Sequence, residues 1–174
     1  MKKKNFKYSK NWKQWITAIS MYTCSYCAAN NGKIFAINQL VDKIPVHPNC
    51  HCHFAKVLAI SAGDATNDGK NGADWYLKYL GMLPDYYITK KEARELGWKP
   101  ALGNLDEVAP GCMIFGGIFD NDKGYLPQQP GRIWYEADIN YENSWRNNER
   151  VLFSNDGLVF VSYDHYKTFI EVIE

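Results

Sequence analysis

The sequence predicts an α+β fold, with helices packed on an antiparallel sheet, preceded by a small module rich in cysteine and histidine. Three observations carry this. Helix signals gather between residues 74 and 110, and strand signals follow from 132 to 173, which is the order of an α+β domain. A small, polar, glycine-rich stretch, SAGDATNDGKNGA at 61–73, separates this region from what precedes it. Four of the five cysteines, Cys24, Cys27, Cys50 and Cys52, lie within 29 residues of that preceding part. The expected organisation is a basic module at 1–62, a linker at 63–73 and a second domain at 74–174.

In chain order, Trp12, Trp15, Ile16 and Ile19 sit at helical spacing and predict a helix. The apolar run Phe54–Ile60 fits a strand or a helix. DWYLKYL reads as a helix stopped by Gly81. Thr89 to Leu96 reads as a second, with Thr89 and Glu92 as a capping box and Gly97 as the stop. Asn104 and Glu107 open a shorter turn of helix closed by Pro110 and Gly111. RIWYEADI (132–139) alternates as a strand, with Glu136 and Asp138 on the face of Trp134. ERVLFS (149–154) and LVFVSY (158–163) flank Asn155-Asp156-Gly157, a tight-hairpin signal, and KTFIEVI (167–173) is the last strand.

Composition is that of a folded chain: 46% apolar and 22% charged, with 15% aromatic residues suited either to a compact core or to stacking on bases. No run of apolar residues is long enough to span a membrane. The start is basic, but no apolar core follows it, so a chain made in the cytoplasm without signal-peptide export is expected. The net charge of +1 conceals a division. Residues 1–62 hold nine lysines and one acid, a net +8, whereas the other 112 residues hold 11 basic and 18 acidic side chains, a net −7.

Common catalytic signatures such as the phosphate-binding glycine loop, H-E-x-x-H and G-x-S-x-G are absent. What remains is Glu136 on a strand face, Arg146 and Arg150 downstream, and His165 in a turn before the last strand. Metal-independent RNA cleavage needs such parts. A base removes the 2′-hydroxyl proton, an acid protonates the departing 5′-oxygen, and cations offset the charge gathering on phosphorus. Spacing alone also admits a solvated Glu, an idle His and two arginines paired with Asp138.

The motifs LPDYYITKKEARELGW, GNLDEVAPG, IFDNDKGYLP, GRIWYEADINY, NNERVLFSNDGL and YDHYKTF resemble the barnase family of bacterial guanyl-preferring ribonucleases, in one register from about 74 to 173. The resemblance implies Glu136 as general base and His165 as general acid. It implies Lys90, Arg146 and Arg150 as phosphate-binding cations, and Tyr166 as an aromatic contact to the nucleotide. Arg132 with Asp156, and Asp138, match structural positions. Residues Phe119 to Leu126 match the base-recognition loop, where Asn121 and Gly124 are kept. Asp122 and Lys123, however, stand where the family has an Arg and a base-reading Glu, and Gly117 stands where it usually has an Asp. No cofactor is implied for catalysis, and guanine preference is left open.

In the leading module, Cys24-x-x-Cys27 and Cys50-x-Cys52 could surround a tetrahedral structural Zn²⁺, with His47 an alternative to one thiol. Free thiols in a small core, or a redox pair, are the other readings. CSYCAANNGKIF followed by PVHPNCHC, within residues 12–56, resembles the end of phage Mu F-type head morphogenesis proteins. Joined to a nuclease, it implies a phage-associated toxin with RNA as substrate and a barstar-like inhibitor as partner, delivered outside the cell or with a phage particle. The alternative is a catalytically decayed phage structural fragment that only binds nucleic acid. The charge division also predicts steeply salt-sensitive cleavage that weakens without residues 1–62.

Overall fold

A computed structural model describes residues 4–174. Nine strands and four short helices follow in the order β1 (Lys7–Ile16), α1 (Ser25–Asn30), β2 (Ile34–Ala36), β3 (His53–Ser61), α2 (Ala73–Tyr79), β4 (Tyr87–Thr89), α3 (Lys90–Glu95), α4 (Leu105–Val108), β5 (Met113–Phe119), β6 (Trp134–Asp138), β7 (Arg150–Ser154), β8 (Val159–Ser162) and β9 (Ile170–Ile173). All nine strands belong to one sheet, ordered β2-β1-β3-β9-β8-β7-β6-β5-β4. The run from β5 to β9 is antiparallel, as expected. The sheet as a whole is mixed, because β3 joins β9, and β4 joins β5, in parallel.

Local chemistry accounts for the best-placed elements. Gly157, at φ +89°, supplies the left-handed residue that the β7–β8 hairpin requires. Thr89 caps α3: its hydroxyl accepts from the Glu92 N–H at 3.2 Å, and Glu92 accepts from the Thr89 N–H at 2.7 Å. Successive residues of the central strands serve two cores on opposite faces. Val151, Val159 and Val161 pack with Leu77 of α2, while Leu152 and Phe160 pack with Trp134 and Phe169. The second face is completed by Trp12, Ile34 and Val57 from the leading segment.

Two expectations are corrected. The helix expected around Trp12–Ile19 is a strand as far as Ile16. A shift in register between Tyr8 and Lys13 breaks the two-residue alternation. Residues three apart on a strand face opposite ways, so Trp12 and Trp15 enter different clusters, Trp12 against Phe160 and Trp15 among Cys27 and Cys52, and their spacing imitates a helix. Residues 63–73, expected to be a linker, are packed. Asp74 is fully buried and its carboxylate accepts from the N–H of Gly63 and Ala65 and from the Thr66 hydroxyl, at 2.6, 3.0 and 2.7 Å. The small polar residues there serve to wrap one buried carboxylate.

Candidate active site

Glu136 lies in the middle of β6, opposite Gly117 of β5 and Leu152 of β7. Its side chain is 14% exposed, shielded from bulk water yet reachable. A Cβ on Gly116 would fall 2.5 Å from Glu136 Oε1, so only glycine leaves room for the carboxylate. Gly117, at φ +93°, forms the bulge beside it, and a Cβ there would meet open space. The parallel pairing of β4 with β5 brings the start of α3 to this point, and places Lys90 Nζ 3.8 Å from Glu136 Oε1. The Tyr166 hydroxyl donates to Glu136 Oε2. Burial first, and then the Glu136 carboxylate, push the Tyr166 phenol well up.

His165 and Tyr166 are consecutive left-handed residues, at φ +57° and +66°. For residues with a Cβ this conformation persists only when the surroundings enforce it. Here Asp164 accepts from the Ser162 hydroxyl and from the N–H groups of Lys167 and Thr168. Ser162 Oγ in turn accepts from the Tyr166 N–H at 2.8 Å, and the His165 N–H donates to Asn148 O. The turn thus sets the His165 ring 4.7 Å from that of Tyr166, which stacks on Phe119 at 5.2 Å.

Arg146 and Arg150 converge on Asp138, which is 1% exposed. Arg146 binds it with two nitrogens, at 2.5 and 2.6 Å, and the pairing raises the Arg146 pKa. Arg150 Nε lies 3.1 Å from the same carboxylate, and its Nη1 donates to Asn147 O and Glu149 O. Nη1 of Arg146 and Nη2 of Arg150 have no protein acceptor among the described residues. His165 lines two adjoining clefts. One, of about 600 Å³, runs under the 120–125 loop, and the other, of about 430 Å³, is lined by Lys90, Arg94, Arg146 and Arg150.

In the loop, the Asn121 side chain donates to Leu126 O at 2.8 Å and accepts from the Leu126 N–H at 3.1 Å. Its amide is therefore engaged in closing the loop, together with Gly124, at φ +64°, whose N–H donates to Asn121 O. Asp122 raises the pKa of neighbouring Asp120 through a hydrogen bond and its charge. The Lys123 ammonium sits 5.8 Å from the Tyr125 ring centre. Sequence reasoning missed Gly116 and Asp164. A Gly-Gly pair within an apolar strand was the available signal for the first, and only the folded turn discloses the second.

A second cluster lies in the leading segment. His47 Nε2 is 3.2 Å from Cys24 Sγ and 3.4 Å from Cys27 Sγ, and Cys27 Sγ is 3.9 Å from Cys50 Sγ. Tetrahedral zinc holds thiolates about 3.8 Å apart, so Cys24, Cys27 and His47 are spaced for that ion, and Cys50 groups with Cys27 and Cys52 in a second set that shares Cys27. Cys52 is within reach of Cys27 and Cys50, and its sulfur contacts the Thr17 hydroxyl at 2.8 Å. The Cys52 N–H lowers the Cys50 thiol to about 7, whereas burial pushes Cys27 up. The Pro48 carbonyl raises His47. His51 and His53 stand outside both donor groups.

No helix among the described residues is long and apolar enough to cross a membrane. Comparison with known proteins gives a family model described as ribonuclease, matching residues 73–173. A ribonuclease of Heyndrickxia coagulans is 49% identical over 100 residues, which are 58% of this chain and 91% of that protein. Ribonucleases of Bacillus intermedius and Bacillus pumilus are also 49% identical over 100 residues, and the match spans 61% of their length. Through residues 73–173 the chain belongs to the ribonuclease family and is an endoribonuclease.

Proposed function

We propose that the chain cleaves single-stranded RNA without a catalytic metal, by transesterification to a 2′,3′-cyclic phosphate that is hydrolysed more slowly. The observation that carries this reading is one shielded carboxylate, Glu136, with Lys90 3.8 Å away and the Tyr166 hydroxyl bonded to it, beside adjoining clefts that His165, Tyr166, Lys90, Arg146 and Arg150 line. Glu136 accepts the 2′-hydroxyl proton and His165 protonates the leaving 5′-oxygen. Lys90 and the open N–H groups of Arg146 and Arg150 offset charge on the phosphorane-like transition state. Tyr166, stacked on Phe119, offers an aromatic face to the nucleotide, and Gly124 and Asn121 shape the loop above it. Asp122 and Lys123 give that loop charges opposite to those of the family it resembles, so the reading carries no base preference.

In the leading segment we assign Cys24, Cys27, Cys50 and Cys52, with His47 as the alternative to one thiol, as ligands of a structural zinc. Such an ion would staple a segment too small to hold itself together by burial. The basic character of residues 1–62 and the resemblance of the motifs within 12–56 to phage Mu F-type proteins support reading the chain as a phage-associated toxin. A barstar-like inhibitor would protect the producing cell, and delivery would be outside the cell or with a phage particle.

The test compares the purified full chain with His165→Ala on RNA, in excess EDTA and in parallel in metal-free buffer without chelator. Cyclic-phosphate products from the parent, reduced about 100-fold or more in the variant, are expected. Absence of cleavage by both, or equal cleavage by both, rejects the assignment.

A further inference from the structure

The leading segment reaches the loop that overhangs the larger cleft. The turn Asn31-Gly32-Lys33 follows α1, which carries Cys27, and enters β2. Asn31 and Gly32 line the same cleft as His165, Tyr166, Phe119 and the 120–125 loop. The contact is bonded and shaped. Ile34 N–H donates to Tyr125 O at 2.9 Å, and Gly32 N–H donates to Trp15 O at 2.8 Å. Gly32 is at φ +87°, and a Cβ there would lie 3.2 Å from the Tyr125 ring, so glycine alone lets the turn lie flat on that ring. Lys33 Cε passes 3.6 Å from the position of a Cβ on Gly124.

We infer that this turn is the outer wall of the nucleobase site, and that Asn31 is a specificity-determining residue for RNA. This rests on the ribonuclease reading above. The family match begins at residue 73, so the wall comes from outside the part shared with the relatives. Asn31 Oδ1 accepts from the Thr17 N–H at 2.8 Å, which fixes the side chain. Its NH₂ has no protein acceptor among the described residues, which leaves a donor for a base edge. Across the cleft, the Asp120 and Asp122 carboxylates offer acceptors, and Tyr166 and Phe119 offer a stacking face. A base held between them is read from two sides, one of which belongs to the leading segment. A buried donor or acceptor left unmatched by the wrong base is what converts such a wall into selectivity.

The test measures the affinity of the full chain for the four nucleoside 3′-monophosphates by titration calorimetry, for the parent, Asn31→Asp and Gln39→Glu. Asn31→Asp keeps the acceptor that Thr17 needs and replaces the open donor by a carboxylate oxygen. Gln39 is exposed and its Oε1 accepts from the Ala36 N–H, so Gln39→Glu adds the same charge to the same segment while keeping its bond. The expected result is a change of about fivefold or more in the ratio of Kd between the best and worst nucleotide for Asn31→Asp, with all four shifted alike in Gln39→Glu. An unchanged ratio in Asn31→Asp, or no measurable binding of any of the four to the parent at millimolar concentration, overturns the inference. The readout is binding, so loss of RNA cleavage in the chelator assay would reject the catalytic assignment and leave this result standing.

Discussion

Arg132 holds Asp156 at the tip of the β7–β8 hairpin through two nitrogens, Nε to Oδ1 at 2.9 Å and Nη2 to Oδ2 at 2.6 Å. That guanidinium brings the Asp156 carboxyl down to about 2. A carboxyl whose pKa is depressed by folding stabilises the fold above its unfolded value, near 4, and loses that contribution as pH falls toward 2. Arg132→Ala is therefore expected to lower unfolding free energy at pH 7 by about 1–2 kcal/mol, reduced from the full shift by solvent screening. Denaturant titrations should show the difference from the parent shrinking from pH 4 to pH 2. At this scale much of the site was legible. Glu136, His165, Lys90 and Arg150 lie in long motifs that resemble one family, and Arg146 stands just before one of them. Gly116 and Asp164 were not, since their roles arise from a neighbouring strand and from a turn closed in three dimensions. Asn121 was assigned to substrate, and its side chain is spent on Leu126 instead.

At the scale of elements, α3 couples a helix start to the proposed chemistry. Lys90 is the first residue after the Thr89 cap, so the capping box sets where its ammonium stands. Thr89→Ala is expected to cost about 1 kcal/mol of stability. Displacement of Lys90 from Glu136 should also lower kcat about tenfold with KM little changed, measured on a dinucleotide. Such capping boxes are legible because both partners are three residues apart in sequence. The Asn155-Asp156-Gly157 hairpin is legible for the same local reason. β1 was not: its bulge resets the alternation, and its two tryptophans belong to cores on different sides of the strand. β5 was passed over because Gly116-Gly117 interrupts its apolar pattern, and there the glycines accommodate Glu136 and a bulge.

For the whole molecule, the decisive event is the parallel pairing of β3 with β9, between the leading segment and the last strand. No local pattern announces a contact between residues more than a hundred apart. It is reinforced by Glu171, 5% exposed, whose Oε1 accepts from Asn11 Nδ2 at 2.7 Å and Trp12 Nε1 at 3.0 Å. The double variant Asn11→Ala, Trp12→Phe leaves this buried acid without those donors. It should lose about 3–5 kcal/mol, seen as a lower Tm in one cooperative transition that includes both parts of the chain. Two separate transitions, with only the first displaced, would show that the parts unfold independently. The shared sheet has one more consequence. Its terminal strands, β2 and β4, are only three residues long. The stretch of β1 that β2 leaves uncovered carries Lys7 and Lys10. Short borders and positive charge deny a second copy the open amide row it would need to add a strand, so the arrangement that joins the two parts also guards the protein against fibrous self-assembly.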